Sequence, residues 1–267
     1  MPYSTPGERL AGYLRRTTFA ELADPALRAR IRLCLLEGQR ADHLLLALDD
    51  IAVLNVARRL IAGAAWARTQ YGEGPTWESY LTDLVVNELI IDYENIRKIK
   101  DYLRPCALAV SSDISARTRA EVLREHGLSC YMCGAVLARN ASVPGKALAT
   151  VDHVWPRSYG GDSFFENLLP ACTECNNAKA SMAVWSLFRF QYLVIGPHPS
   201  AREAESVGRQ ARIAWQLFAA RRAVEADQNL SLKEALVATG PVEDIDLELR
   251  RFPTDFFVLD DYVERVE

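Results

Sequence analysis

The chain has 267 residues, of which 49% are hydrophobic and 25% charged, with only 14 glycines and 12 prolines, so collagen-like, low-complexity and disordered architectures are excluded. No apolar run approaches the roughly 18 residues that a membrane-spanning helix needs, and the first residues lack the basic and apolar regions of a secretion signal. The formal net charge of -4 neither requires nor excludes a nucleic-acid partner. We therefore expect a soluble, cytoplasmic protein of one or two domains.

The N-terminal part of the chain predicts a series of helices. Thr5-Pro6-Gly7-Glu8 offers a cap residue, a first-turn proline and an acidic side chain, and Asp24-Pro25 repeats the pattern before a helix over 26–36. Further helices are predicted over 42–69 and 77–103. Apolar side chains recur at steps of three and four in the last helix: Val85, Leu89, Tyr93, Ile96, Ile99 and Leu103. This stripe predicts packing against the preceding helices, with docking of a partner as the alternative.

A change in composition divides the chain. Pro105 and residues 111–113 predict a linker or a domain boundary, and Ser115 caps a short helix that runs to about Glu125. A segment rich in Cys, Gly, Asn and Pro follows over 128–182, and a capping-box pattern at 200–203 opens a helix that reaches about residue 224. The predicted organisation is a helical N-terminal domain at 1–110, a small module at 115–190, a helical region at 191–240 and an acidic tail at 241–267.

Four of the six cysteines form two Cys-x-x-Cys pairs that are 38 residues apart: Cys130 with Cys133, and Cys172 with Cys175. Each pair places two thiolates on one side of a tight turn, and two such pairs complete the tetrahedral shell that Zn(II) prefers. Because four thiolates leave no open position for water or substrate, we expect this zinc to be structural. Disulfides are the alternative, which the lack of an export signal disfavours.

Between and just after the cysteine pairs lies an ordered set of polar and turn residues: Asp152-His153, Pro156, Gly160-Gly161, Asn167-Leu168, Asn176 and Lys179. The residues around Asp152 are β-prone, the two glycines permit a turn, and a second strand from Asn167 leads to a helix at about Cys172. The set resembles the HNH endonucleases of the ββα-metal class, in the variant with two zinc knuckles and with Asn at the third motif position. The resemblance covers roughly residues 115–185. It implies a small, zinc-stabilised ββα-metal (HNH) module and says nothing about the flanks. With the helices predicted on either side, the expected fold class is mainly α, with this module inserted between helical regions.

The resemblance also implies a role for each motif residue. His153 is the expected general base that activates water, and Asp152 and Asn176 are expected to hold one divalent cation. Asn167 is expected to hold the loop that bears His153 through hydrogen bonds to the backbone. Lys179 is expected to lie near the scissile phosphate, and Arg157 is a further candidate for a phosphate contact.

The predicted cation is Mg(II), with Mn(II) as a plausible substitute. Two oxygen ligands with water and phosphate suit these ions, and Asn176 in place of a histidine shifts the preference away from Zn(II). In a regular strand, Asp152 and His153 point to opposite faces, so a bend or bulge there would let both approach one phosphate.

The predicted activity is hydrolysis of phosphodiester bonds in DNA, and DNA is favoured over RNA by the resemblance alone. HNH modules embedded in helical proteins resemble the effectors of bacterial phage-defence or restriction systems, sometimes paired with an ATPase. The resemblance therefore implies such a role here, with the helical flanks as a sensor or as a docking surface for a second subunit. Two alternatives stay open: a zinc-ribbon module that binds nucleic acid or assembles complexes without catalysis, and a structure-selective repair nuclease or an RNase. The tail at 241–267, with nine acidic and three basic residues, either faces solvent or lies over a basic cleft and restrains activity.

Overall fold

The computed structural model describes residues 2–19, 38–89, 91–140, 144–184 and 201–241, together with the single positions 24, 26 and 29. Within these ranges, no helix is long and apolar enough to cross a bilayer. The architecture is mainly helical with one small three-stranded sheet in the cysteine-rich segment, which confirms the predicted fold class. Most of the helix predicted over 26–36 and nearly all of the acidic tail lie outside the described residues.

Helix α1 spans Pro6–Thr17 and begins where the sequence predicts. The hydroxyl of Thr5 accepts a hydrogen bond from the Glu8 amide at 3.1 Å, and the Glu8 carboxylate accepts one from the Thr5 amide at 2.8 Å. This reciprocal pair satisfies two backbone donors at the start of the helix. Leu10 and Leu14, four residues apart on α1, are fully buried in the core.

From residue 38 onward, the described part of the N-terminal region contains three further helices: α2, Gly38–Tyr71; α3, Pro75–Glu88; and α4, Tyr93–Ser111. The single helix predicted over 77–103 is wrong, because the backbone is extended at Leu89 and a new helix starts after Asp92. The Asp92 carboxylate accepts from the Asn95 amide at 2.8 Å, which is the usual way an aspartate begins a helix. Five of the six stripe positions are buried, whereas Tyr93, at the first turn of α4, is 80% exposed.

Pro105 lies inside α4 rather than in the predicted linker. A proline in a helix interior removes one backbone hydrogen bond at a cost of about 3 kcal/mol. The helix continues because Leu103 and Cys106, on either side of the proline, are fully buried against the neighbouring helices. Helix α4 ends at Ser111, and the amide of Ser112 donates to the Ala109 carbonyl at 3.2 Å.

The cysteine-rich module comprises α5, Ala116–Glu125; β1, Leu137–Ala138; β2, Ala147–His153; β3, Leu168–Cys172; and α6, Thr173–Lys179. Ser115 caps α5 as predicted, with its hydroxyl accepting from the Thr118 amide. In the sheet, β2 pairs parallel with β1 and antiparallel with β3. The predicted strand at Leu168 that leads into a helix is confirmed.

Helices α5 and α6 cover opposite faces of the sheet. Val122 of α5 packs in one apolar cluster with Val151 and Leu168, whereas Lys179 of α6 contacts Asp152. Since side chains alternate along a strand, Val151 and Asp152 mark the two faces. The module therefore has three layers, with the sheet between α5 and α6 and with Asp152 on the α6 side.

Two C-terminal helices complete the described fold: α7, Ala201–Ala226, and α8, Leu232–Thr239. Helix α7 begins at the predicted residue and ends two residues beyond the predicted end. Gln216 of α7 donates to the Tyr131 carbonyl at 2.8 Å and to the Gly240 carbonyl at 2.7 Å. These bonds attach the C-terminal helices to the cysteine-rich module, and one hydrophobic cluster includes residues from all of these parts.

Candidate active site

The four cysteines of the two knuckles come together in one cluster. Their Sγ atoms all lie within 4.8 Å of one another, and the sulfurs of Cys133 and Cys172 are 3.9 Å apart. A tetrahedral zinc with Zn–S bonds of about 2.3 Å would place its sulfurs about 3.8 Å apart. A disulfide needs about 2.05 Å between sulfurs, so this alternative is wrong for these cysteines. The predicted cluster is confirmed, and its geometry is consistent with structural zinc.

Local backbone contacts explain why the first knuckle folds this way. Gly134 has a positive φ of 71° and donates to the Cys130 carbonyl at 2.8 Å, which closes the tight turn. The Tyr131 amide donates to the Pro170 carbonyl of β3 at 3.0 Å. The first knuckle is therefore fastened to the strand that carries Cys172 at its end.

Asp152 lies on the α6 face of β2 and is almost fully buried. Its Oδ2 accepts a hydrogen bond from the Tyr131 hydroxyl at 2.7 Å and lies 3.0 Å from the Lys179 Nζ. Burial raises the pKa of the Asp152 carboxyl, while Lys179 and the Tyr131 hydrogen bond act in the opposite direction. The Oδ1 atom has only a longer contact, 3.4 Å, to the same ammonium group.

The Lys179 side chain points into the module and not toward solvent. It is fully buried, and its Nζ donates to the His153 carbonyl at 2.7 Å as well as to Asp152. The resemblance predicts that Lys179 lies near the scissile phosphate. In the structure, its ammonium group instead contacts the Asp152 carboxylate and the His153 carbonyl in the interior of the module.

His153, the last residue of β2, is half-buried. Its Nε2 lies 3.0 Å from the Ser163 hydroxyl, on the loop between β2 and β3. Burial, and next the positive charges of Arg157 and Lys179, lower the pKa of the imidazole to about 4. The ring is therefore neutral around pH 7.

The strand ladder stays regular at the two adjacent motif residues. Asp152 pairs with Leu169 and His153 pairs with Leu168, each one-to-one, so β2 has no bulge here. The bend that would bring Asp152 and His153 to one face is absent. Because side chains alternate along a regular strand, these two point to opposite faces and have different contacts. Asp152 contacts the α6 side, whereas His153 contacts the β2–β3 loop.

Asn176 lies on the same face of α6 as Lys179, three residues before it. Its Nδ2 donates to the Thr150 hydroxyl at 3.2 Å, and Thr150 is two residues before Asp152 on β2. Side chains two apart on a strand lie about 7 Å apart on one face. Among the described residues, no group donates to the Asn176 Oδ1, so this oxygen is available as a ligand.

Asn167 is buried just before β3 and bonds to both ends of the loop that follows His153. Its Oδ1 accepts from the Trp155 amide at 2.8 Å. Its Nδ2 donates to the Trp155 carbonyl at 3.0 Å and to the Asp162 carbonyl at 2.8 Å. All three bonds go to backbone, so they hold the path of the chain next to His153.

Arg157 is tied to the end of α4 and remains about one-third exposed. Its guanidinium donates to the Val110 carbonyl and lies 3.2 Å from the Asp113 carboxylate. This side chain links the loop after His153 to the N-terminal helices, and part of it still faces solvent.

Three side chains in the site were not found by sequence reasoning: Tyr131, Thr150 and Ser163. Tyr131 could have been noticed because it is a phenol between Cys130 and Cys133, within the first knuckle. Thr150 could have been found from its position two residues before Asp152. Ser163 has no sequence signal, because its contact with His153 depends on how the loop folds back.

Comparison with known proteins agrees with the geometry. Residues 130–181 match the protein family described as HNH endonuclease. No curated protein and no solved structure gives a significant match to the chain. The matched stretch contains the four cysteines and every motif residue from Asp152 to Lys179, and the flanking helices lie outside it.

Proposed function

Because residues 130–181 form an HNH endonuclease domain, we propose that this protein hydrolyses phosphodiester bonds in DNA with the help of a divalent cation. The observation that carries the proposal is the position of His153 at the end of β2, on a strand pair whose other end carries Cys172 of the four-cysteine cluster. His153 is the general base. Nucleic acid is the substrate class implied by the domain, and DNA is our choice within it.

His153 is suited to take a proton from water. Its ring is neutral around pH 7, because burial and nearby positive charge lower its pKa to about 4, and a neutral ring has one nitrogen free to accept a proton. The Asn167 bonds to the backbone hold the following loop, so the ring stays in place while the substrate approaches.

The donor atoms on the α6 side of β2 suit a hard cation. Asp152 retains capacity at Oδ1, and Asn176 offers an uncommitted Oδ1. Such an all-oxygen set fits Mg(II), with Mn(II) as a substitute. When bound there, the cation would polarise the scissile phosphate and relieve charge on the leaving oxygen. We assign Asp152 and Asn176 to this ion.

Two positively charged residues complete the proposed site. The exposed part of the Arg157 guanidinium contacts a phosphate of the substrate. Lys179 positions the Asp152 carboxylate through its buried ammonium group and does not touch the substrate.

A plasmid-nicking assay with Mg(II) tests the proposal. The purified protein is expected to convert supercoiled plasmid to the open circular form, and His153→Ala should lower the rate by at least about 100-fold, as expected for loss of a general base. His126→Ala is the matched control, since His126 lies at the end of α5 and stacks on Phe165, with ring centroids 5.4 Å apart. It should nick plasmid at nearly the normal rate.

Each other outcome has a defined meaning. If the wild-type protein left plasmid intact with both Mg(II) and Mn(II) at any enzyme concentration, hydrolysis would be excluded and a binding or assembly module favoured. If RNA or branched DNA competed far better than duplex DNA, the substrate assignment would be wrong.

For the biological role, we propose a cytoplasmic effector in bacterial phage defence or restriction, gated by a partner subunit such as an ATPase. The support is the presence of helical regions outside residues 130–181, which offer surface for sensing or docking. Cells that express the wild-type protein should form fewer phage plaques than cells that express His153→Ala. Equal plaque counts across a phage panel would overturn the defence role and leave the nicking result untouched.

A further inference from the structure

Ser163 connects the candidate base to the N-terminal helices. Its Oγ lies 3.0 Å from the His153 Nε2 and 2.9 Å from the Ser112 carbonyl oxygen, and the Ser112 hydroxyl is 3.3 Å away. Ser112 is the C-cap residue that directly follows α4. The hydroxyl therefore bridges two parts of the fold that are 51 residues apart in the chain.

The number of protons determines the direction of these bonds. A carbonyl oxygen can only accept, and two oxygens 2.9 Å apart need a hydrogen between them, so the one hydroxyl hydrogen of Ser163 points to the Ser112 carbonyl. The Ser163 oxygen must then accept from His153, which requires the hydrogen of the neutral ring to be on Nε2. The other ring nitrogen, Nδ1, keeps its lone pair.

The anchor at the far end of this bridge is firmly held. The Ser112 hydroxyl and amide both bond to the Ala109 carbonyl, at 3.1 and 3.2 Å, and Cys106 and Ala109 are buried in the last turns of α4. Arg157 bonds to the same end of α4 through the Val110 carbonyl. The end of α4 thus holds the loop after His153 at two positions, Arg157 and Ser163.

We propose that Ser163 is a positioning residue that holds His153 with its hydrogen on Nε2 and directs Nδ1 to accept the proton, using the end of α4 as its anchor. The catalytic part of this inference rests on the proposed nuclease function, whereas the state of the ring does not. The N-terminal helices thereby become part of the machinery that orients the base.

The first test is nuclear magnetic resonance of the full-length protein, with ¹⁵N-labelled histidine and long-range ¹H–¹⁵N correlations. The spectra are recorded near pH 8, above the ordinary imidazole pKa of about 6.5. The wild-type His153 signal should show a protonated Nε2 and an unprotonated Nδ1. Ser163→Ala should give a mixture of the two neutral forms, and Ser163→Thr, which keeps the hydroxyl, should restore the wild-type pattern.

The second test measures nicking by the same variants. Ser163→Ala should lower kcat by about 10- to 100-fold, the range seen when a partner that orients a histidine is removed, with KM nearly unchanged. Ser163→Thr should recover most of the rate. Ser158→Ala is the matched control, since the Ser158 hydroxyl lies in the same loop, is buried and has no hydrogen-bond partner among the described residues.

The outcomes separate this inference from the proposed function. A wild-type ring protonated on Nδ1, or a Ser163→Ala protein with unchanged ring state and rate, would overturn the positioning role. If the ring behaved as expected but no variant nicked any nucleic acid, the nuclease proposal would fail while the Ser163 bridge stood. Should Ser163→Ala fail to fold, the wild-type spectrum and Ser163→Thr still decide the matter.

Discussion

Asp152 and Lys179 form a salt bridge inside the module, with 3.0 Å between Oδ2 and Nζ and side chains that are only 5% and 0% exposed. Removing two charges from water is costly, and the mutual attraction offsets that cost only when both partners are present. Two further hydrogen bonds support this pair: the Asp152 carboxylate accepts one from the Tyr131 hydroxyl, and the Lys179 ammonium group donates one to the His153 carbonyl. Lys179 is thus part of the structural support of the candidate site.

Breaking this pair should destabilise the fold strongly. Lys179→Met leaves the Asp152 carboxylate buried without its partner, and we expect a loss of about 3–5 kcal/mol in the free energy of unfolding. The double variant with Asp152→Asn should lose much less than the sum of the two single losses. Urea denaturation followed by circular dichroism measures the free energy of unfolding of the two single variants and of the double variant. Strictly additive losses would show that the two charges do not interact.

Zinc removal should unfold the module. Cys172→Ser takes one sulfur from the cluster, so we expect loss of bound zinc and of cooperative unfolding, because metal binding in such modules contributes on the order of 10 kcal/mol to folding. Elemental analysis and thermal denaturation check both effects. Cys106→Ala, which alters a buried free cysteine of α4, should keep one zinc per chain. A folded Cys172→Ser protein without zinc would contradict the structural role.

Two glycines of α1 should respond in opposite ways to the same change. A Cβ on Gly7 would lie 1.7 Å from the Tyr159 carbonyl and 2.6 Å from the Trp155 Nε1, because α1 packs directly on the loop after His153. Gly7→Ala should therefore destabilise the protein by at least about 1–3 kcal/mol.

Gly12 is the matched control for Gly7 in the same helix. Its Cβ would meet only the flexible end of Arg16, at 3.4 Å, so Gly12→Ala should stabilise the protein by about 0.5–1 kcal/mol. Thermal denaturation of the two variants in parallel checks the contrast. Equal effects would mean that α1 does not approach the loop this closely.

Lys233 should make stability depend on pH in the alkaline range. Burial lowers the pKa of its ammonium group to about 8, against the opposing charges of Glu166 and Glu234. In the unfolded chain the value is about 10.4, so between these two pH values the unfolded state binds more protons than the folded state. The contribution of Lys233 to the free energy of unfolding therefore rises with pH across that window.

The measurement compares wild type with Lys233→Met by urea denaturation at several pH values between about 7.5 and 10.5. Because the variant lacks this titration, the free energy of unfolding of the variant minus that of the wild type should fall steadily through the window. A difference that stays constant with pH would show that the Lys233 pKa is not lowered by folding.

Local signals in the sequence predicted many elements well. Caps at Thr5 and Ser115 begin helices at the expected residues, because a cap bond is made within four residues of chain. The same reasoning missed the break at Leu89, where apolar residues continue the helical pattern through an extended segment. It also placed a boundary at Pro105, although burial of the surrounding α4 residues outweighs the lost hydrogen bond.

The sequence by itself determined which four cysteines cluster and which residues make up the motif, because residue type and spacing along the chain carry that information. Only the tertiary structure decided what each side chain contacts. The regular β2–β3 register separates Asp152 from His153, burial turns Lys179 inward, and the folded loop brings Ser163 against the imidazole. These contacts join residues that are distant along the chain, and their positions follow from the packing of α4, the sheet and α6, which no local pattern encodes.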